Sequence, residues 1–289
     1  MRTVRVVTDS TTDFSVEEAR RLGVSVVPLL VRFGEETFED RVTLPPAEFY
    51  DRLLRTTVVP STSQPAPAAF LAAYRPLLDE GSDIVSLHIS SALSGTFNSA
   101  NIARHQLDPA HIATVDTRQA SFGAQTLVRE AVRLAGEGQS LAQIVARMEE
   151  LKPYVRIVAT VETLEYLRRN GRIGRVSALL GSLMAVKVLI TVSDGIVVPL
   201  DKVRTRARSL QRVQQLIEAD APFYGPVLVG HIHDLAAGEA LVAALQASFP
   251  EQEVLLCEVG PVIGAHAGPG TVGAGYIMLR QEQAGAVNA

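Results

Sequence analysis

The 289-residue chain has one cysteine, Cys257, which excludes an internal disulfide and any zinc site built from several cysteines. It has no tryptophan, and aromatic residues make up 5% of a chain that is 47% hydrophobic, so whatever it buries is mostly Val, Leu, Ile and Ala. That aliphatic excess suits a core or the wall of a greasy ligand site equally well. Lysine is scarce too: Lys152, Lys187 and Lys202 are the only three, and Arg carries the rest of the positive charge. With 27 basic against 31 acidic residues and a formal net charge of −4, no basic stripe stands out to track a phosphate backbone, which argues against nucleic acid. No apolar run approaches membrane-spanning length, and the N-terminus opens into the alternating stretch Val4 to Val7 without a signal-peptide core. A cytoplasmic protein without stable membrane insertion is expected.

The length is about twice that of a common domain, which favours two cores. Up to about residue 150, short β-branched runs alternate with amphipathic windows. Arg5 to Thr8 and Val24 to Leu30 have strand patterns, with Ser15-Val-Glu-Glu18 between them as a capping box opening a helix. Further strands at Ile84 to Ile89 and Ile112 to Val115 are interleaved with helices. Those helices begin at Pro45-Pro46, Ser63-Gln-Pro65, Gly95, Ser121 and Leu141. This order predicts an α/β domain over residues 1–153, a parallel sheet with helices on both faces in three layers. After Lys152-Pro153 the pattern changes. Val186 to Val192, the dipeptide Asp194-Gly195 and Ile196 to Val203 make a hairpin signal. With strands at Val155 to Thr160, Val227 to His231, Glu253 to Val259 and Gly275 to Leu279, they predict a mixed-sheet α/β domain over residues 154–289.

The segment Ser90-Ser-Ala-Leu-Ser-Gly-Thr96 lies between a buried strand and a helix. Helix N-termini present unpaired N–H groups and the positive end of the dipole, so hydroxyls and a glycine there suit a carboxylate or phosphate. Capping of the helix by Ser94 or Thr96 explains the same residues. Pro60-Ser-Thr-Ser-Gln-Pro65 repeats the chemistry at a second strand-to-helix turn, and two such turns at the carboxyl ends of parallel strands could converge on one ligand.

Six segments together carry a resemblance. They are Val7-Thr-Asp-Ser-Thr11, Thr62-Ser-Gln-Pro65, Ser90-Ser-Ala-Leu-Ser-Gly-Thr-Phe97, Val115-Asp-Thr117, Leu164-Glu-Tyr-Leu-Arg-Arg-Asn-Gly-Arg-Ile173 and Gly260-Pro-Val-Ile-Gly-Ala-His-Ala-Gly-Pro-Gly270. Each is weak alone; in this order, from about residue 3 to residue 280, they resemble the DegV family. The resemblance implies a two-domain α/β fold that binds one long-chain fatty acid between its domains, with no other cofactor. It further implies the FakB role: presenting the acyl carboxylate to a separate dihydroxyacetone-kinase-like fatty acid kinase and holding the acyl phosphate for phospholipid synthesis, with no catalysis by the chain alone. Thr62 and Ser94, followed by Gly95, match the family's carboxylate-binding hydroxyl positions; His266 and Arg172 match the histidine and arginine beside the headgroup. Without the resemblance, His266 is a loop histidine and Arg172 a solvated charge. The chain departs from the pattern at Val188, where Pro is frequent, and at Ala124, where Gly is common; both departures bear on tail shape. Ala178-Leu-Leu-Gly-Ser-Leu-Met-Ala185 is expected as a tail wall or an ordinary core helix. Lys202 and Arg204, with Arg206 and Arg208, are expected to contact the partner or the phosphate, or to be a solvated helix start.

Other chemistries are weaker. Gly268-Pro-Gly-Thr-Val-Gly273 fits a dinucleotide fingerprint literally but leaves no room for a βαβ unit. Ser94 with His266 suggests an acyl hydrolase, yet Ala92-Leu-Ser-Gly95 lacks the first glycine of a nucleophile elbow. His231-Ile-His233 sets two imidazoles on one face of an extended strand, as a metal needs, without a third ligand. A lipid-responsive regulator has no sequence feature of its own.

Overall fold

The computed structural model describes residues 2–179 and 186–279. In the first half, β1 (Val4–Asp9), α1 (Val16–Leu22) and β2 (Val24–Val27) form the expected βαβ unit. Next come β3 (Leu30–Phe33), β4 (Glu36–Glu39), α2 (Pro46–Arg55), β5 (Ser61–Ser63), α3 (Pro67–Asp79), β6 (Asp83–His88), α4 (Thr96–Gln106), β7 (Ile112–Asp116), α5 (Ser121–Gly136) and α6 (Leu141–Leu151). Strands β2-β1-β6-β7 make a parallel sheet. Alternation along its strands divides the apolar side chains. Val6, Val85 and Leu87 pack against Leu127 and Val128 of α5 and Met148 of α6, while Val7, Ile84 and Ile112 pack against Phe70 and Tyr74 of α3 and Ala100 of α4. The result is three layers.

Two sequence expectations are corrected here. The run Val24 to Leu30 is not one strand: Pro28 has no N–H to give a ladder, β2 ends at Val27, and Leu30 starts a strand of a different sheet. The first half also carries a three-stranded antiparallel sheet, β4-β3-β5, so Thr62 sits inside β5 opposite Val31 and not at the carboxyl end of a parallel strand. The capping box is half made. Ser15 accepts from the Glu18 amide at 3.1 Å, but the Glu18 carboxylate turns to Arg129.

Beyond α6 lie β8 (Val155–Val161), α7 (Glu165–Arg169), β9 (Lys187–Ser193), β10 (Ile196–Val203), α8 (Arg206–Ala219), β11 (Phe223–His231), α9 (Leu235–Ser248), β12 (Val254–Glu258), α10 (Pro261–Ala267) and β13 (Val272–Met278). They form a mixed sheet in the order β10-β9-β8-β13-β11-β12, in which only β11 and β12 are parallel neighbours. Asp194-Gly195 makes the predicted hairpin turn. One face of this sheet, with Val158, Leu189 and Val229, is covered by α8 and α9. The other, with Ile157, Ala159 and Ile190, faces the parallel half, and α5 packs between the two sheets. Helix α10 is a further correction: Gly260 to Gly270 is not all loop, because Pro261 starts a helical turn that runs through His266. Among the described residues no helix is long and apolar enough to cross a membrane.

Candidate ligand-binding site

A cavity of about 330 Å³ opens between the two sheets, within the range of small-molecule sites. Its walls come from both halves. The loop after β6 and the start of α5 give Ile89, Leu93 and Phe122; the mixed sheet gives Ile157, Ala159, Ile190, Val192 and Val197; α10 gives Val262 and Ile263. Phe122 is the one aromatic side chain on it among the described residues. The aliphatic excess of the composition therefore lines a cavity as well as filling cores.

Thr62, Ser94, Arg172 and His266 all lie on this wall. Thr62 Oγ1 and His266 Nε2 are 2.8 Å apart, joining β5 to the last turn of α10. Burial, helped by the nearby Arg172 charge, pushes the His266 imidazole down to about 4, so it is neutral at physiological pH. Its Nδ1 has no hydrogen-bond partner among the described residues. A neutral imidazole and a hydroxyl can each donate to a ligand oxygen. Ser94 precedes α4, where its Oγ lies 2.8 Å from Thr96 Oγ1 and accepts from the Thr96 amide at 3.3 Å. Ser94 thus supports its own helix start and lines the cavity at once. Gly95 lets the Gln64 amide lie close over the start of α4: a Cβ there would stand 2.2 Å from Gln64 Oε1 and push that side chain, also on the wall, aside. Arg172 is no free surface charge. It donates from Nε to the Leu93 carbonyl at 3.2 Å and from Nη1 to the Asn170 carbonyl at 2.9 Å, which ties the turn after α7 to the loop bearing Ser94.

Other expected residues fall elsewhere. Lys202 and Arg204 are exposed at the end of β10 and just after it, off the cavity wall. Ala124 and Val188 are buried but do not line the cavity either. Of the expected tail wall Ala178 to Ala185, residues 180–185 lie outside the described residues. The two imidazoles do not share a strand face: β11 stops at His231, His233 takes a left-handed φ of 50° and stacks near Tyr50 at 5.6 Å, and His231 packs on Gly238 of α9. Among the described residues no group of three or more His, Cys, Asp and Glu is placed to hold a metal. Gly268 to Gly273 leads into antiparallel β13 and is no βα turn.

Sequence reasoning missed Ser121 and Gln64 on the wall, and Asn170, whose Nδ2 donates to the Ala265 carbonyl of α10 at 2.8 Å. It also missed a buried relay resembling a hydrolytic triad. Ser86 Oγ lies 2.7 Å from His88 Nε2, and His88 Nδ1 lies 3.0 Å from Asp9 Oδ2. Tyr74 donates to that serine at 2.7 Å, all four side chains are fully enclosed, and none lines the cavity, so the relay satisfies polar groups in the core.

The DegV family model, described as one of uncharacterised proteins, matches residues 3–279. The chain belongs to the DegV family. A DegV domain-containing protein of Halalkalibacterium halodurans is 35% identical over 276 residues, covering 94% of this chain and 98% of that one. Among solved structures, a DegV family protein from Thermus thermophilus described by its fatty acid binding has a TM-score of 0.90 at 35% identity, covering 96% of this chain and 100% of that one. DegV of Bacillus subtilis, described as a fatty acid binding protein, has a TM-score of 0.87 at 30% identity, with coverage of 96% and 100%. The DegV-like α/β fold predicted from the motif order is the fold observed.

Proposed function

We propose that this DegV protein binds one long-chain fatty acid, its tail in the aliphatic cavity and its carboxylate at Thr62, Ser94, Arg172 and His266. The ligand then lies between a domain of residues 1–153 and one of residues 154–289. The observation that carries the reading is that these four polar side chains line one cavity, two of them in contact at 2.8 Å, and that most of the remaining wall is aliphatic. The likeness to two proteins described as fatty acid binding supports it. The energetics divide accordingly. Charge-assisted hydrogen bonds to the carboxylate contribute on the order of 1 to 3 kcal/mol each. A tail of roughly fourteen methylenes at ~0.8 kcal/mol each contributes about 11 kcal/mol before ordering and association costs. The tail dominates affinity, and the headgroup sets orientation.

The chain has no catalytic role in this reading. It presents the carboxylate to a dihydroxyacetone-kinase-like fatty acid kinase and holds the acyl phosphate, and Lys202 and Arg204, being exposed, serve contact with that partner. A hydrolase is disfavoured because no carboxylate orients His266 among the described residues. Thr62→Val and Ser94→Ala are each expected to weaken fatty acid binding about tenfold, while the unfolding midpoint falls by no more than about a few degrees, since Ser94 also supports the start of α4. Displacement of a fluorescent fatty acid measures the first and thermal unfolding the second. Unchanged affinity in both variants would remove the headgroup assignment. Acyl phosphate should form from ATP only when a kinase of this class and the loaded protein are both present.

A further inference from the structure

Helix α10 carries His266, yet its 7 residues are too few to hold a direction without tertiary contacts. What fixes its other end is a buried charged cluster from the opposite half of the molecule. Asp13, 2% exposed and left-handed at φ 60°, follows a 3-10 turn at the end of β1. Its Oδ1 accepts from the Gly260 amide, immediately before α10, at 2.7 Å, and faces Arg41 Nη2 at 3.5 Å. Its Oδ2 accepts from the Ser121 hydroxyl on the cavity wall. Arg41 Nη2 also donates to the Glu258 carbonyl at the end of β12. Gly260 is glycine for this contact, since a Cβ there would stand 2.7 Å from Arg41 Nε. The Tyr50 hydroxyl adds a bond to the Val259 carbonyl at 2.7 Å.

We infer that Asp13, paired with Arg41, is a positioning residue for the headgroup site: it locks the start of α10 against α5 and so sets His266 against Thr62. Neither Asp13 nor Arg41 lines the cavity, so both act on the ligand only through α10 and Ser121. A carboxylate before the first turn also suits the positive end of the helix. The effect on binding rests on the fatty acid reading; the effect on His266 does not.

The test uses two variants of the full chain. Asp13→Asn keeps the size and an acceptor for Gly260 but removes the charge opposite Arg41. Arg41→Lys keeps the charge but shortens the side chain whose terminal Nη2 meets both Asp13 and the Glu258 carbonyl, and it decides the matter should Asp13→Asn not fold. Affinity is measured for a long-chain fatty acid and for the alcohol of equal length, and the His266 imidazole is titrated by NMR without ligand. The acid is expected to bind roughly tenfold more weakly, the alcohol within about twofold of the parent, and His266 to titrate nearer an ordinary ~6.5. Parallel losses for acid and alcohol, with an unchanged His266 titration, would overturn the inference and leave Asp13 a purely structural residue. If the parent protein binds neither compound, the fatty acid reading fails, and the His266 titration alone decides the positioning role.

Discussion

Ala159→Phe is expected to weaken binding of a long-chain fatty acid by about a thousandfold. Ala159 lies mid-strand in β8, opposite Gly273 of β13 and Ile190 of β9. Its neighbour Val158 points into the layer under α8 and α9, so the pleat sends Ala159 to the cavity, whose wall it joins. An added phenyl ring takes the space of on the order of five methylenes. At ~0.8 kcal/mol each, that is about 4 kcal/mol of lost tail burial, or three decades of affinity. The ring itself fills apolar space, so the fold is expected to persist. A medium-chain acid, whose tail needs less of the cavity, should lose far less. Isothermal titration across a chain-length series measures both, and equal binding of long chains by parent and variant would show that the tail does not lie here.

Asp40→Asn is expected to change how stability depends on pH. Asp40 is 1% exposed, and what its carboxylate meets in Arg41, the Ser10 side chain and the Val262 backbone does not make up for the water it loses on burial. Burial raises its carboxyl from 3.8 to about 7, and the adjacent Arg41 offsets only part of that. The unfolded chain releases the Asp40 proton near its ordinary value, whereas the folded protein keeps it until about pH 7. The stability tied to this group is therefore whole below about pH 4, falls as pH rises through the window, and is gone above about pH 7. A shift of that size corresponds to roughly 4 kcal/mol, as an order of magnitude. The neutral asparagine has no such loss. The variant should match the parent near pH 4 and exceed it by up to several kcal/mol at pH 8, as read from denaturant midpoints. Parallel pH profiles for the two proteins would contradict the origin assigned to the shift.

Much of the frame was legible before the structure. The short β-branched runs that became β1, β6 and β7 were visible as strands, and in the central β1 and β6 side chains on both faces of the parallel sheet are buried. Asp194-Gly195 marked its hairpin because that turn needs left-handed residues, and both positions have positive φ. The small antiparallel sheet was not legible. β4 is a short, polar edge strand, and β3 continued the run before Pro28 without a break in hydrophobicity. Helix α10 was hidden by Gly264 and the glycines around it, which local propensity assigns to loop while contacts with Tyr50 and Asn170 hold a helix there.

The site divides in the same way. Thr62 and Ser94 were visible as hydroxyls before helices, although Thr62 is in fact within a strand. Arg172 and His266 were visible only through the family resemblance, since their partners lie 79 and 204 residues away in the chain. Asp13 meets Gly260 across 247 residues, and no local pattern distinguishes such a buried acid from a surface one.

The central claim is that the aliphatic cavity carries a fatty acid. Native mass spectrometry of the freshly purified protein tests it most directly. One long-chain fatty acid per chain is predicted, removable by delipidation, restored on adding the acid, and missing from Ala159→Phe. A parent protein that purifies empty and takes up no fatty acid when offered it would contradict the account.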